Sequence, residues 1–447
     1  MSLFGTDGVR GTPGVAPLDG RTLQRLGAAI PWALGGDGRR VRILVGRDTR
    51  ESGEWIIEQL GRGLAHAGGE VLDGGVLPTP AVAYLTRRDG AYDAGIVVSA
   101  SHNPYQDNGV KVITSTGEKA DDELEARISA RVADAGWQVS DDQRAAVSRV
   151  EVGEHYARHL TDTFASLATG ARLSVALDCA NGATSQLAPE VWRRLGLDPL
   201  VIHDRPDGRN INLECGSTHP EGLARAVVEN GCRLGVALDG DGDRAVFVDH
   251  RGTVVNGDAV LLIVARWLAR AGQLPHHAIV ATVMSNLGLE RALTADGITV
   301  HRCPVGDRSV WIEMQERGAV LGGEQSGHII QSRLLPTGDG LATALMIATA
   351  VAESGRELAE LAADLVPLPQ VLVNTRVGRR VPLEELPGVS RAIADAEGEL
   401  QDDGRVLVRY SGTEALLRVM VEGTEQATIE RLAERIASQA VAELGAG

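Results

Sequence analysis

Three aspartates stand on alternate residues of one short segment, Asp239-Gly-Asp-Gly-Asp-Arg244, directly after the strand-like run Arg233 to Asp239. Carboxylates crowded this closely need a cation to neutralise them, and an all-oxygen donor set suits a hard divalent ion. An EF-hand loop requires glycine at its sixth position and glutamate at its twelfth, where this chain has Arg244 and His250. The dinucleotide fingerprint is matched only formally. Asp241 and Asp243 would repel a pyrophosphate, and the residues that follow, Ala245-Val-Phe-Val248, read as a strand where a helix is needed. An Asx-Gly turn explains one or two of the aspartates but not three. Asp239 as a phosphorylated nucleophile at a strand end stays open.

A second polar turn, Val98-Ser-Ala-Ser-His-Asn-Pro104, also follows an apolar strand-like run. The pair Ser101 and His102 invites a hydrolase reading, but a nucleophile elbow needs glycines at the positions held by Ser99 and Asn103. On its own the segment is an ordinary Ser, Asn and Pro turn. Beside the aspartate loop it gains another meaning, because a phosphorylated serine offers oxygens that Mg2+ prefers. Three aspartates and a phosphate overcompensate one divalent ion, and Arg244, Arg47 and Arg10 are candidates to absorb the excess. Two further loops suit a phosphorylated sugar. Gly322-Gly-Glu-Gln-Ser-Gly-His328 places Glu324 and Ser326 between glycines that let a ligand approach the backbone. Arg409-Tyr-Ser-Gly-Thr-Glu414 joins a guanidinium, two hydroxyls and a glycine-freed N–H, a set that holds a phosphate dianion. The first string is equally compatible with a plain turn, and ordinary loop chemistry is the alternative for the second.

Of the 44 basic residues only Lys111 and Lys119 are lysines. Lysine can exchange a proton where arginine cannot, so Lys111 is a candidate general acid or base; a lysine merely left on the surface is the plainer account. The same scarcity excludes a P-loop, since no Gly-Lys-Ser/Thr triplet exists. A formal charge of -16 argues against nucleic acid or an anionic membrane as the main partner. Cys179, Cys215, Cys232 and Cys303 show neither CxxC pairing nor zinc spacing, which predicts reduced thiols and a cytoplasmic protein. The N-terminus has no secretory pattern, and no ~20-residue apolar run is present to span a membrane.

The elements that must position these loops alternate short β-branched runs with longer amphipathic ones, the rhythm of α/β domains. Strands are expected over Val41 to Val45, Ala94 to Ser99, Val110 to Ile113, Leu173 to Asp178, Arg233 to Asp239, Ala245 to Asp249 and Ile279 to Val283. Helices are expected over Ser52 to Ala67, Asp121 to Ala135, His155 to Leu167, Ser185 to Leu195, Gly257 to Ala271 and Gly340 to Glu353. At 447 residues one core is not enough. The expected division is 1–150 with the serine loop, 151–255 with the aspartate loop, 256–368 with the Glu324 loop, and 369–447 as a smaller α+β domain with the Arg409 loop. The polar stretch from Gln138 to Arg149 is a candidate boundary.

Taken in this order, the loops resemble those of the α-D-phosphohexomutase family along the whole chain. The opening Phe4-Gly-Thr-Asp-Gly-Val-Arg-Gly11, Asn210-Ile-Asn212 with Cys215-Gly-Ser-Thr-His-Pro-Glu221, and the glutamine in Gly323-Glu-Gln-Ser326 are closer to the branch acting on glucosamine phosphates than to those acting on mannose or glucose phosphates. The resemblance implies three similar α/β domains with mixed sheets plus a smaller C-terminal α+β domain, heart-shaped around a central cleft. It implies that Ser101 is the phosphoserine and that its phosphate, with Asp239, Asp241 and Asp243, binds one Mg2+. Arg10, His102, Lys111, Arg244 and His328 would surround the reacting centre. Glu324 and Ser326 would contact sugar hydroxyls, and Arg409, Ser411, Gly412 and Thr413 would hold the phosphate that is not reacting. The implied activity is exchange of phosphate between the 6- and 1-positions of glucosamine through a 1,6-bisphosphate, which would also serve as activator. The partner is then a small phosphosugar, and a homodimer is neither required nor excluded. One departure is Ala415, where the family usually has proline after Ser-Gly-Thr-Glu.

Overall fold

In the computed structural model the described residues are 3–5, 7–35, 40–140, 144–169, 173–411 and 416–445. Ala94–Val98 is apolar and buried at every position, as a central strand covered on both faces must be. It is paired in parallel with Arg42–Arg47 and antiparallel with Asn108–Thr114. The full sheet runs Val9–Gly11, Asn108–Thr114, Ala94–Val98, Arg42–Arg47, Glu70–Val76, Val147–Arg149. Val147–Arg149 lies in the polar stretch read as a candidate boundary and extends the sheet in parallel with Glu70–Val76, inside the expected 1–150 domain. Three exposed residues carry no burial pattern, so their pairing could not be read from polarity. Leu23, Leu26 and Ile30 of helix Gly20–Ala33 and Ile56, Leu60 and Leu64 of helix Gly53–His66 pack with Ile43, Val45, Ile96 and Val98 in one core.

A second sheet runs Val254–Val255, Ala245–Asp249, Leu234–Leu238, Val175–Asp178, Leu200–Ile202. Its central hairpin registers Leu238 against Ala245, so Asp239 to Arg244 form the connecting loop. A third sheet pairs Ala278–Thr282 in parallel with Leu321–Gly323, which turns back antiparallel into Ile329–Gln331. All three sheets are mixed, and in each a polar loop leaves the carboxyl end of a buried strand, where α/β proteins place ligands. Helix Gly340–Ser354 is buried along nearly its whole length and is capped by the Asp339 carboxylate, which accepts the Ala342 N–H.

These sheets belong to one compact unit, Met1–Thr282 with His301–Ala363. The other comprises Val283–Val300 and Asp364–Gly447. It holds an antiparallel sheet, Gln370–Arg376, Leu416–Gly423, Gly404–Tyr410, backed by helices Pro387–Leu400 and Gln426–Leu444. This is the strand, helix, strand, strand, helix order expected of a small α+β domain, with Val389, Leu400, Val419, Ile429 and Ile436 in its core. Helix Leu287–Ala295, flanked by Asn286, joins it through the Asn286 carboxamide, which donates to the Leu368 carbonyl. Among the described residues no helix is long and apolar enough to cross a membrane.

Candidate active site

The hairpin loop and the serine loop meet inside the first unit. The Ser101 hydroxyl donates to Asp239 Oδ2 at 2.6 Å, and Ser101 is 2% exposed. Gly240 makes the approach possible, because a Cβ there would lie 2.6 Å from the Ser101 carbonyl oxygen. Asp239, Asp241 and Asp243 are buried, and each offers an oxygen within 4.8 Å of the others. Burial raises the Asp239 carboxyl well above its ordinary range, and Asp243 and Asp241 push the same way. Asp241 Oδ1 and Asp243 Oδ1 are buried with no hydrogen-bond partner. Buried acceptors without donors are costly, and a cation among three carboxylates removes that cost. The residues present therefore fit a divalent metal.

Cations ring this triad. Lys111 Nζ lies 2.9 Å from Asp241, 3.0 Å from Asp7 and 3.6 Å from Asp243. Burial lowers the Lys111 pKa, but Asp241 and Asp7 more than offset it, so the ammonium is held above its usual range. Asp241 and Asp7 therefore favour the ammonium form of Lys111, the direction opposite to the lowering that proton exchange would use. For Asp241 the contest runs the other way: burial pushes the carboxyl up, and Lys111 and the Thr79 hydroxyl hold it well below the ordinary range. Arg244 donates its backbone N–H to Asp239 at 3.2 Å, its Nη1 lies 3.2 Å from His102 Nδ1, and its buried Nε makes no hydrogen bond but lies 3.8 Å from Asp243 Oδ1. His328 is 2% exposed, its Nε2 lies 3.9 Å from Asp243, and neither ring nitrogen has a hydrogen-bond partner. Arg10 reaches the edge of the cluster through Asp7.

Further residues belong to this cluster without a local sequence signal for it. Asp7 joins Arg10, Lys111 and Lys119, and Lys119 Nζ donates to Asp7 at 2.7 Å and to Asp307. Lysine scarcity had marked Lys119, although nothing around it suggested a role. Asp7 sat inside the quoted opening motif, and Asp307 follows the glycine whose N–H donates to Glu324 Oε1 at 3.1 Å. Asn212 sits within the quoted Asn210-Ile-Asn212 and meets the serine loop. Arg47, expected near the phosphate, pairs instead with Glu54 at 2.6 Å, and Arg50 takes the inward place.

Glu324 and Ser326 lie on the turn between Leu321–Gly323 and Ile329–Gln331, with Glu324 half-buried beside Arg244 and Ser326 exposed. Gln325, part of the resemblance to the glucosamine branch, donates to Asp258 Oδ2 at 3.0 Å and so is engaged within the protein. This turn is tied to the aspartate hairpin at Gly327, whose carbonyl accepts the Ala245 N–H at 3.1 Å. Gly327 has φ +93, and a Cβ would lie 2.3 Å from the Ala245 carbonyl oxygen. Gly327→Ala should therefore destabilise the protein by about 2 kcal/mol or more in a denaturant melt; a change within about 0.5 kcal/mol, the size of an ordinary surface substitution, would contradict this packing.

In the second unit Arg409 and Ser411 stand at the end of Gly404–Tyr410. Arg418 lies opposite Arg409 in the sheet register, and burial together with the charge of Arg418 lowers the Arg409 pKa. Arg380 donates to the Ser411 carbonyl at 2.7 Å. Gly412 and Thr413 lie outside the described residues, as does Ala415.

Three mixed α/β domains, a small α+β domain and a serine set against an aspartate triad define a phosphosugar mutase. Models of the phosphoglucomutase/phosphomannomutase family match residues 1–138 as alpha/beta/alpha domain I, 154–252 as domain II, 256–368 as domain III and 372–439 as the C-terminal domain, so the chain belongs to this family. Among its relatives is a protein named phosphoglucosamine mutase from Moorella thermoacetica, 46% identical over 98% of this chain and 99% of its own. Another of that name, from Solibacter usitatus, is 47% identical over 99% of each chain. A crystal structure of a phosphoglucomutase/phosphomannomutase family protein from Burkholderia thailandensis superposes with a TM-score of 0.82 at 25% identity, covering 99% of this chain and 97% of that one.

Proposed function

We propose that this protein interconverts glucosamine 6-phosphate and glucosamine 1-phosphate, with Ser101 as the residue that lends and recovers the phosphoryl group. The observation that carries the reading is the Ser101 hydroxyl 2.6 Å from Asp239, in a buried triad whose other members have acceptor oxygens without donors. Amino-sugar preference rests on the full-length similarity to two proteins named phosphoglucosamine mutase.

In the first half-reaction the C1 hydroxyl oxygen of glucosamine 6-phosphate bonds to the phosphorus on Ser101. The bond from phosphorus to Ser101 Oγ breaks, and the hydroxyl proton passes to a neighbouring imidazole, His102 or His328. The resulting 1,6-bisphosphate turns over and Ser101 Oγ, freed in the first half, attacks the 6-phosphate; the bond from phosphorus to O6 breaks, O6 takes the proton back from the imidazole, and glucosamine 1-phosphate leaves. Negative charge develops at the same place in both halves, so one set of cations serves both. Lys111 and Arg244 supply positive charge there, and Arg10 extends it through Asp7. Asp239, Asp241 and Asp243, with the phosphate on Ser101, would hold Mg2+. When bound, the metal offsets charge on the phosphoryl oxygens. Glu324 and Ser326 would orient sugar hydroxyls, and Arg409, Ser411, Gly412 and Thr413 would hold the distal phosphate. Four free, buried cysteines suit a cytoplasmic protein.

The test is turnover of glucosamine, glucose and mannose phosphates under one set of conditions. The largest kcat/KM is expected for glucosamine, by about tenfold or more, because a site built to bond a polar group rejects analogues lacking it. Equal turnover of all three would overturn the sugar assignment while leaving the chemistry standing.

A further inference from the structure

Ser101 has φ +51, a left-handed conformation that costs a residue with a Cβ about 1–2 kcal/mol. Such strain persists only where the surroundings impose it. Two side chains from separate segments do so, and neither touches the hydroxyl. Arg50 Nη2 donates to the carbonyl oxygens of Ser101 and Asn103 at 3.2 and 2.5 Å. Asn212 Nδ2 donates to the same two oxygens at 2.9 and 3.0 Å. The carboxylate of Asp48, fully buried, pairs with the Arg50 guanidinium and accepts the Ser99 hydroxyl, whose oxygen accepts the Ser101 N–H at 2.9 Å. Both main-chain polar groups of Ser101 are thus held from outside the site. Peptide planarity turns the His102 N–H to the face opposite the pinned Ser101 carbonyl. The same carbonyl rests against Gly240, so the groups that fix the serine loop also fix its register on the aspartate hairpin.

We infer that Arg50, oriented by Asp48, and Asn212 are positioning residues for phosphoryl transfer: they clamp the Ser101 and Asn103 carbonyls and so hold Ser101 Oγ in reach of Asp239 and of an in-line acceptor. This rests on the reading of Ser101 as the phosphate carrier. A guanidinium suits the role because its planar fork can face a carboxylate and two carbonyls together, which an ammonium cannot do from one point. Asn212, at φ +58, needs a residue that tolerates the left-handed region while presenting a donor.

Arg50→Ala would strand the buried Asp48 charge and is a poor test. Arg50→Lys keeps the charge, and Asn212→Gly removes the carboxamide while keeping the backbone freedom. Each variant and the parent are loaded with phosphate from glucose 1,6-bisphosphate and mixed with excess glucosamine 6-phosphate, and loss of phosphoserine is followed by quenched-flow mass spectrometry. A single-turnover rate constant does not depend on how much of the sample is folded; only the amplitude does. The expected result is a rate constant lower by about 10- to 100-fold in each variant, the size of effect expected from a misplaced reacting group. Folded protein that cannot be loaded at all would support the inference equally. An unchanged rate constant with a reduced amplitude would overturn it, since that is what loss of stability alone produces. Absence of phosphoserine in the loaded parent would instead sink the carrier reading on which the inference stands.

Discussion

Ser101→Ala should lower mutase turnover by at least about 10⁴-fold, the scale seen when a covalent nucleophile is removed from a working site. Two hydroxyls hydrogen-bonded into this cluster are already committed. Ser99 Oγ accepts the Ser101 N–H and its proton is given to Asp48, while the Thr79 hydroxyl donates to Asp241. The variant should remain folded, because alanine keeps the Cβ already accommodated at φ +51 and the clamp on the loop acts on carbonyls. Its circular dichroism and sugar-phosphate binding should therefore persist as turnover disappears. Turnover within tenfold of the parent would remove Ser101 from the chemistry.

The second large effect is expected at Asp243. Its Oδ1 is buried without a hydrogen bond, 3.8 Å from Arg244 Nε, and its other oxygen faces Lys111 at 3.6 Å and His328 at 3.9 Å, so among the three carboxylates it alone accepts no hydrogen bond from the described residues. Asp243→Asn should cost little in folding but about 10²–10³-fold in turnover, the range for losing one charge-stabilising group. Binding offers a readout independent of activity. Saturating Mg2+ should raise the unfolding midpoint of the parent by roughly 2–6 °C, as a ligand at a hundredfold its dissociation constant does for a protein of this size, and this rise should shrink or vanish in the variant. An equal Mg2+-induced rise in parent and variant would place the metal elsewhere.

What could be read from residues alone followed the strength of local signals. The strands Ala94–Val98 and Leu234–Leu238 carry no polar side chain and Ala245–Asp249 only its last, and each formed within one residue of expectation. His155 to Leu167 fared less well: the helix is Gly153–Thr163, and the chain then tightens into a 3-10 turn at Ala165–Thr169. Helix Asp307–Arg317 buries only Val310 and Met314, too thin a stripe to announce itself, so Asp307 at its first turn went unread.

The site was legible where chemistry is concentrated in one loop and illegible where it is assembled across loops. Three aspartates in one hairpin require a cation whatever surrounds them. Nothing in Arg47-Asp-Thr-Arg50 tells which arginine turns inward. That is decided by the buried Asp48, which draws Arg50 toward the serine loop while Arg47 reaches out to Glu54. Lys111 illustrates the same limit, since its residue type permits proton exchange, and only the surrounding Asp241 and Asp7 tip it toward the ammonium.

The most direct test of the phosphate-carrying role of Ser101 is peptide-level mass spectrometry of the protein after exposure to glucose 1,6-bisphosphate. One phosphate is expected on Ser101, discharged when glucosamine 6-phosphate is added and missing from Ser101→Ala. A phosphate on Asp239, or none on any residue while the enzyme turns over, would contradict the account.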